Sequence, residues 1–419
     1  MLAAWLKRGS ADRDPAPDTG AEAELARLLP LVARQRGLDA GAPPGLDAVD
    51  RATLVQRALH HLERQTPTLQ LEAQTELLVR LELVPSSFSL EDALRALLER
   101  ELTAFYDPAS RRIVIDRALP VAARRRVLAH ELVHALVDRE HSLGARLLAL
   151  DTSDRKAALL TLAEGDAEAL VARLELAGLV PAPTAALRGR EGPEGALPGV
   201  LERSLAAAYV DGRAAVQRLL DSGGFAAVDA LYRAPPDGTH ALLASGLGGD
   251  FRAPAPPLPD PTPPEPGWTA FHSDVLGAQT WRTVLEQWLP AEHAAELARG
   301  WDGDRLVWFQ RGTRRVLVWE VRTDAERAGE VARLVSRALQ LSGPEPELRT
   351  ARATRFVCRA WRDGAVMGRW MGERSLIIAV LTDPAQSAQC QTLSAWTIPA
   401  TQRRSESRDP GPPSLRGPG

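Results

Sequence analysis

The residues best suited to chemistry in this sequence are His130, Glu131 and His134, which form a His-Glu-x-x-His run. Apolar residues around them recur at helical spacing, which predicts that the run lies on a helix. Residues at positions i and i+4 share one helix face, so the two imidazoles can bind one zinc ion. Glu131 follows His130 by one residue, a rotation of about 100° about the helix axis, so its side chain would reach a water molecule bound to the ion. The run therefore predicts hydrolysis, with Glu131 as the general base toward a zinc-activated water.

A catalytic zinc site also needs a third protein ligand and an open fourth position. The metzincin arrangement would place a glycine and a histidine where this chain has Val137 and Glu140, so that arrangement is excluded. His141 follows one residue too late, and we interpret it as a surface or helix-end histidine. A second segment in a helical context, residues 162–170, carries several carboxylates.

Within that segment, the run from Glu164 to Glu168 resembles the third-ligand helix of gluzincin metallopeptidases. The resemblance implies that Glu164 completes the ligand set. Glu168 lies one turn later, and we expect it to accept a hydrogen bond from a ligand histidine and so fix its tautomer. Thermolysin-like enzymes have the shorter Asp at the matching offset, and Asp166 stays open as a rival carboxylate. Gly165 is expected to let this helix pack close to the metal-binding helix.

Further segments are similar to a set of uncharacterised bacterial zinc metallopeptidase-like proteins, over residues 80–390. Besides the two runs above, they are Leu83–Leu94, Ala104–Pro108, Leu231–His240 and Gly300–Arg305. The resemblance implies a zincin-like catalytic domain that holds one Zn²⁺ per chain and hydrolyses peptide or protein substrates. Members of that set usually carry Glu where His240 stands, so the resemblance gives His240 no catalytic role.

Peptide hydrolysis also needs a hydrogen-bond donor for the oxyanion. The candidates from sequence are Tyr106, Tyr232 and His240, although packing or a surface position explains each of them as well. The segment 103–116 has the pattern of a β-hairpin, and such a strand can pair with a substrate backbone. An ordinary edge strand would show the same pattern.

The elements that must position these residues predict an α+β protein, mainly helical in its catalytic domain, with a small edge hairpin and a separate C-terminal α/β domain. Residues 253–267 are about half proline, which is typical of a stiff linker. The predicted organisation is a disordered N-terminus at 1–20, a helical region at 21–100, a zincin-like catalytic domain at 101–252, the linker at 253–267, an α/β domain at 268–397 and a disordered tail at 398–419.

Composition places the chain among soluble globular proteins, with 45% hydrophobic and 25% charged residues. A net charge of −3 argues against nucleic acid as a partner, and no apolar run is long enough for a transmembrane helix. As written, the sequence predicts a cytoplasmic protein; a start that carries a signal would make it extracytoplasmic.

Cys358 and Cys390 are either one disulfide or two buried thiols. Sequence leaves the oligomeric state open.

An alternative function rests on the tryptophans, nine of which lie in the stretch from Trp268 to Trp396. In that hypothesis, a catalytically silent zincin-fold scaffold carries a Trp-rich C-terminal domain that binds a partner. Large core side chains explain the same tryptophans, and we favour that interpretation. The intact Glu131 also argues against the alternative, because a binding module does not need a general base. Hydrolysis of a non-peptide amide stays open.

Overall fold

The computed structural model describes residues 19–66, 68–182, 198–244, 258–263, 265–338, 356–360, 364–371, 375–382 and 396. It confirms the prediction of an α+β protein. Its helices are α1 (Thr19–Arg36), α2 (Arg51–Gln65), α3 (Thr68–Arg80), α4 (Leu90–Glu101), α5 (Val121–His141), α6 (Leu143–Ala149), α7 (Ser153–Leu176), α8 (Gly199–Arg233), α9 (Thr239–Ala244), α10 (Gly277–Leu285), α11 (Ala291–Ala298) and α12 (Ala325–Ala338). Its strands are β1 (Gly45–Val49), β2 (Ala104–Asp107), β3 (Arg112–Asp116), β4 (Thr269–Asp274), β5 (Trp301–Arg311), β6 (Arg314–Thr323), β7 (Phe356–Ala360), β8 (Gly364–Met371) and β9 (Ser375–Thr382).

The described residues belong to two compact units. The first takes its residues from Met1–Leu71, Ser87–Pro254 and Gly277–Gln287, and the second from Glu72–Ser86, Ala255–Leu276 and Trp288–Gly419. Among the described residues, no helix is long and apolar enough to cross a membrane.

The sheet of the first unit has three strands in the order β1-β3-β2. The predicted hairpin is confirmed, because β2 and β3 pair antiparallel, while β1 pairs parallel with β3. Ile113 and Ile115 are buried in the main core together with residues of α5, such as Leu128 and Leu132. One face of the sheet is thus fixed against the helix that carries the His-Glu-x-x-His run, and β2 remains the edge strand beside it.

The helices α7 and α8 pack antiparallel at a crossing formed by two glycines. A Cβ at Gly165 would overlap the backbone of Gly212, and a Cβ at Gly212 would overlap the carbonyl of Thr161. Only residues without a side chain allow the two backbones to approach so closely. Gly165 therefore packs against α8, and the expectation that it packs against the metal-binding helix is wrong.

The second unit contains a six-stranded sheet in the order β4-β5-β6-β9-β8-β7. All of its neighbouring strand pairs are antiparallel, so the unit is α+β rather than an alternating parallel layer. Trp308, Trp319 and Trp396 are at most 4% exposed, which places these three in its core.

One sequence expectation about elements was wrong, because the region 21–100 contains β1 among its helices. Further along the chain, α10 and α11 are separate helices, with Pro290 immediately before α11. Of the expected disordered ends, 1–18 and 398–419 lie outside the described residues, as do 253–257 and 264 of the proline-rich stretch. Cys390 is also outside them, and only the backbone of Cys358 is described.

Candidate metal centre

The helix α5 buries one face and turns another toward α7. Leu128, Leu132 and Leu136 are fully buried, which anchors the helix in the core. His130 and His134 lie on a different face, with side chains 13% and 14% exposed. The helix runs from Val121, directly after Pro120, to His141, and it stops where the backbone of Ser142 becomes left-handed. The two histidines therefore lie well inside the helix. The predicted helical context of the His-Glu-x-x-His run is confirmed.

Three potential ligand atoms converge between α5 and α7. Nε2 of His130 lies 3.1 Å from Nε2 of His134 and 3.2 Å from Oε2 of Glu164, and the third pair, His134 and Glu164, is 3.7 Å apart. Ligands about 2.0–2.1 Å from a tetrahedral zinc ion are separated from one another by about 3.3 Å. The three side chains could therefore hold a metal ion without rearrangement.

Glu168 lies on the far side of His130 from the convergent atoms. Its Oε1 is 3.2 Å from Nδ1 of His130, and its Oε2 accepts a hydrogen bond from Arg126 at 3.2 Å. Arg126 also donates to Glu175 at 2.7 Å. Because a proton on Nδ1 is held by Glu168, Nε2 of His130 is left as a metal ligand. Glu168, one turn after Glu164, is thus the carboxylate that lies beside a ligand histidine.

The charges of this cluster act strongly on one another. Burial alone would lower the pKa of His130, but hydrogen bonds to Glu164 and Glu168 outweigh it and raise the pKa to about 10. Burial alone would raise the pKa of Glu164, but His134 and His130 hold it well below its usual range. The carboxylate is therefore ionised at neutral pH, and the cluster attracts positive charge.

Glu131 is only 7% exposed and lies beside the edge of the small sheet. Burial raises its pKa, while the two histidines and the backbone N–H of Tyr106, a donor to this carboxylate, lower it to a smaller extent. A carboxyl with a raised pKa is suited to accept and return a proton. The same contact places β2 next to the general-base candidate.

The free edge of β2 points at this site. Asp116 donates to the carbonyl of Thr103 at 2.9 Å, so residues 103, 105 and 107 are the ones that exchange hydrogen bonds with β3. The peptide groups of Ala104 and Tyr106 must then point away from β3. These groups can pair with an extended chain, as expected for a strand that receives a substrate backbone.

Sequence reasoning missed Tyr209. It lies on α8 one turn before Gly212, and Gly212 faces Gly165 across the antiparallel crossing. Because the helices are antiparallel, Tyr209 lies beside the turn of α7 that carries Glu164 and Glu168. The only sequence signal available was Gly212 itself, and it gains meaning only once its partner helix is known.

The hydroxyl of Tyr209 is close to the carboxylates of the cluster. The charge of Glu164 raises its pKa most, followed by burial and by the charges of Glu131 and Glu168. The residue as a whole is nevertheless 46% exposed. Tyr209 is thus accessible from solvent and has a proton to donate beside the convergent ligand atoms.

The three donors predicted from sequence lie elsewhere. The hydroxyl of Tyr106 donates to Asp138 at 3.0 Å, although the backbone of this residue faces Glu131. Tyr232 is 1% exposed and donates to Asp166 at 3.3 Å, so a substrate cannot reach it. His240 lies on α9, next to Gly238. The structure brings none of these three side chains to the ligand atoms.

Asp166 and His141 belong to a separate buried cluster. Arg36 and Asp166 are both fully buried and form an ion pair at 2.8 Å, and Arg36 also contacts Asp229 at 2.6 Å. His141 stacks on Tyr232 with ring centroids 5.0 Å apart, and its Nε2 is 3.3 Å from Asp229. His141 is therefore a buried helix-end residue, and Asp166 is not the partner of a ligand histidine.

Part of the chain is similar to a known protein family. Residues 268–388 match a family described as "Domain of unknown function (DUF8575)". No curated protein and no solved structure matches the chain. The residues of the convergent cluster lie outside the matched segment.

Proposed function

We propose that this protein is a zinc-dependent metallopeptidase of the gluzincin type, with a zincin-like fold in its first unit. The observation that carries the proposal is the convergence of His130, His134 and Glu164 beside Glu131 and an open strand edge. Two neutral imidazoles and one carboxylate are a ligand set of catalytic zinc sites, and they leave a fourth position for a water or a substrate.

The spacing of the ligand atoms fits the proposed ion. Their separations of 3.1, 3.2 and 3.7 Å bracket the edge of a zinc tetrahedron. A zinc ion held there would supply a Lewis acid that polarises a carbonyl and lowers the pKa of a water molecule. Glu168 supports the site because it holds the Nδ1 proton of His130 and so directs Nε2 to the ligand position.

Glu131 is the proposed general base. Its carboxylate takes a proton from the attacking water and delivers it to the amine nitrogen of the leaving peptide. Burial raises the pKa of this carboxyl, which favours both the capture and the return of the proton. The Tyr106 backbone N–H keeps the carboxylate next to β2, where the substrate is proposed to bind.

The substrate backbone is proposed to pair with Ala104 and Tyr106 on the free edge of β2. Tyr209 is the proposed donor to the carbonyl oxygen as negative charge develops on it, since its hydroxyl is near Glu164 and Glu131 and the residue is 46% exposed. This role was assigned from sequence to Tyr106, Tyr232 or His240, whose side chains lie elsewhere.

The first experiment measures zinc per chain by elemental analysis, for the wild type and Glu164→Ala after equal exposure to zinc. We expect about one zinc ion in the wild type and much less in the variant, because two histidines alone form a weak site. A folded wild type that takes up no zinc would refute the proposal. Equal zinc in both proteins would mean that another residue is the third ligand.

The second experiment tests catalysis with a library of quenched fluorescent peptides. Zinc-loaded wild type should hydrolyse members of the library, and Glu131→Gln should lose about 10²–10⁴-fold in kcat while it keeps its zinc. Full activity in Glu131→Gln would contradict the role of the base. Bound zinc without hydrolysis of any peptide would favour the silent scaffold.

A further inference from the structure

The first unit contains a second feature that the proposed chemistry does not use, a cavity of about 520 Å³. Its lining comes from α1, α2, the segment before β1, the β2–β3 hairpin, α5 and α6. This volume is within the range of sites that bind small molecules or side chains. The cavity combines apolar walls, such as Pro43, Pro44 and Leu148, with several charged groups.

The cavity lies along α5 on the C-terminal side of the candidate metal centre. Ala135, Asp138 and Ser142 line it, and these residues follow Glu131 on one stripe of the helix. Ala135 is one turn from Glu131, a rise of about 6 Å. Tyr106 joins the two places, since its backbone N–H contacts Glu131 and its side chain lines the cavity. A chain paired with the free edge of β2 would therefore have this cavity next to it.

The charged groups of the lining leave an excess of positive charge. They are Arg64, Arg111, Arg139, Asp107 and Asp138. Burial lowers the pKa of His61, the remaining titratable base of the lining, so this histidine is neutral at pH 7. The lining thus carries one more cation than anions.

Both anions of the lining already have donors. Asp107 accepts hydrogen bonds from Arg64 and Ser110, each at 2.8 Å. Asp138 accepts from the hydroxyl of Tyr106 at 3.0 Å and from the backbone of Gly144 at 2.8 Å. Neither carboxylate therefore depends on Arg111 or Arg139.

Among the described residues, neither of these two arginines forms an ion pair with a carboxylate. Arg139 donates to the backbone carbonyls of Ala42 and Asp39, which keeps its full charge. No ion pair joins Arg111 to a carboxylate in the part of the chain that the structure describes. A guanidinium in this situation matches the geometry of an external carboxylate.

The backbone at Arg111 is an independent indication. Its φ is 54°, in the left-handed region that Gly or Asn adopts with least strain at a hairpin turn. An arginine in this conformation is strained relative to glycine. The hairpin turn would be more stable with glycine, and strain of this kind concentrates at functional positions.

We propose that the cavity is a substrate subsite that binds a carboxylate, either an acidic side chain or the C-terminal carboxylate of a peptide. This inference rests on the proposed peptidase function. Arg111 and Arg139 supply the positive charge, and the apolar walls contact the remainder of the substrate residue. The class of substrate is then an acidic peptide, or a peptide bound by its C-terminal end.

The test measures binding rather than turnover, in zinc-loaded Glu131→Gln, so that the peptide stays intact. Three sets of fluorescein-labelled hexapeptides share one alanine-based sequence. One set carries Glu at each position in turn with an amidated C-terminus, the second carries Gln in its place, and the third is neutral with a free C-terminus. Fluorescence anisotropy gives the affinities. A preference for the first set indicates an acidic side chain, and a preference for the third indicates the C-terminal carboxylate.

We expect one of the two acidic sets to bind about tenfold more tightly than the Gln set, as charge-assisted hydrogen bonds do. Arg111→Gly, made in the same background, should reduce that preference to less than about threefold. Its melting temperature should be unchanged or higher, because glycine relieves the strained φ. Arg95→Ala, which removes an exposed arginine of α4, should keep the preference.

Equal affinity for all three sets, or a full preference in Arg111→Gly, would overturn the subsite. Hydrolysis by zinc-loaded protein with active Glu131 is measured separately on the same peptides. Cleavage without a preference would refute the subsite and leave the peptidase intact. A preference that depends on Arg111, without cleavage of any peptide, would support the subsite and refute the peptidase.

Discussion

Helices α5 and α7 both contribute to two clusters of titratable side chains, and the two clusters differ in where their positive charge comes from. The metal cluster consists of His130, His134 and Glu164. The arginine cluster consists of Arg36, Asp166, Asp229, His141 and Tyr232, with Arg36 and Asp166 fully buried. Each contains histidine and carboxylate, and Glu164 and Asp166 are two residues apart on α7.

In the arginine cluster, the guanidinium of Arg36 occupies the centre and binds two carboxylates, so no external cation is required. In the metal cluster, two imidazoles and one carboxylate converge, and the neighbouring carboxylates favour positive charge there so strongly that His130 takes up a proton in the metal-free protein. A group of histidines and acids is therefore a candidate metal site only where the protein leaves the central charge to be supplied. Four predictions test this distinction, from the largest expected effect to the smallest.

The arginine cluster should be a stabilising element that is independent of metal. Arg36→Ala leaves two carboxylates near each other without their cation, so we expect a loss of about 3–5 kcal/mol in the free energy of unfolding. Urea denaturation of the metal-free protein measures it. Arg95→Ala, at an exposed pair, should change this free energy by less than about 0.5 kcal/mol. Similar losses in the two variants would show that the buried cluster contributes no more to the free energy of unfolding than an exposed ion pair does.

The metal cluster should gain stability only when its cation is added. With free zinc about a thousandfold above its dissociation constant, the free energy of unfolding of the wild type should be about 4 kcal/mol larger than in the presence of a chelator. Glu164→Gln should lose most of this gain because it lacks one ligand. Glu140→Gln, an exposed change on the same helix as the histidines, should keep it. A full zinc-dependent gain in Glu164→Gln would remove Glu164 from the ligand set.

Two tyrosines separate the clusters by function. Tyr209→Phe should reduce kcat about a hundredfold with KM little changed and zinc content intact, because it removes a donor that acts as charge develops on the substrate. Tyr232→Phe removes a buried hydrogen bond to Asp166, so it should lower stability by about 1 kcal/mol and leave kcat unchanged. The reverse outcome would exchange the roles of the two residues.

The smallest effect concerns the carboxylate beside His130. Glu168→Gln should weaken zinc binding about tenfold, measured by competition with a chromophoric chelator, since His130 loses the acceptor of its Nδ1 proton. Asp166→Asn should leave zinc affinity nearly unchanged and lower the stability of the fold instead. If only Asp166→Asn weakened zinc binding, the assignment of the two carboxylates would have to be reversed.

Local patterns predicted the parts of the site that depend on one or two turns of chain. Helical periodicity places His130 and His134 on one face of α5, and it places Glu164 and Glu168 on one face of α7. Alternating periodicity predicts the hairpin of β2 and β3. The contact between Glu168 and His130 also needed the resemblance to gluzincins, because no periodicity links α5 to α7.

Features that depend on contacts distant in sequence could not be predicted. Tyr209 comes close to Glu164 only through the glycine crossing of α7 and α8, and a single tyrosine in a helical pattern carries no such information. Arg36 and Asp166 are 130 residues apart. The strand β1 is five residues long and lies between helices, and its sequence, Gly-Leu-Asp-Ala-Val, has no regular alternation that would distinguish it.

The glycine crossing also defines a way to recognise other chains with this centre. Because any Cβ at Gly165 or Gly212 would overlap backbone, neither position tolerates a larger residue while Tyr209 stays opposite Glu164. We therefore expect a two-part sequence signature, Glu-Gly-x-x-Glu in one helix and Tyr-x-x-Gly in the next. A search for both parts downstream of His-Glu-x-x-His would select chains in which ligand, proton donor and helix crossing occur together.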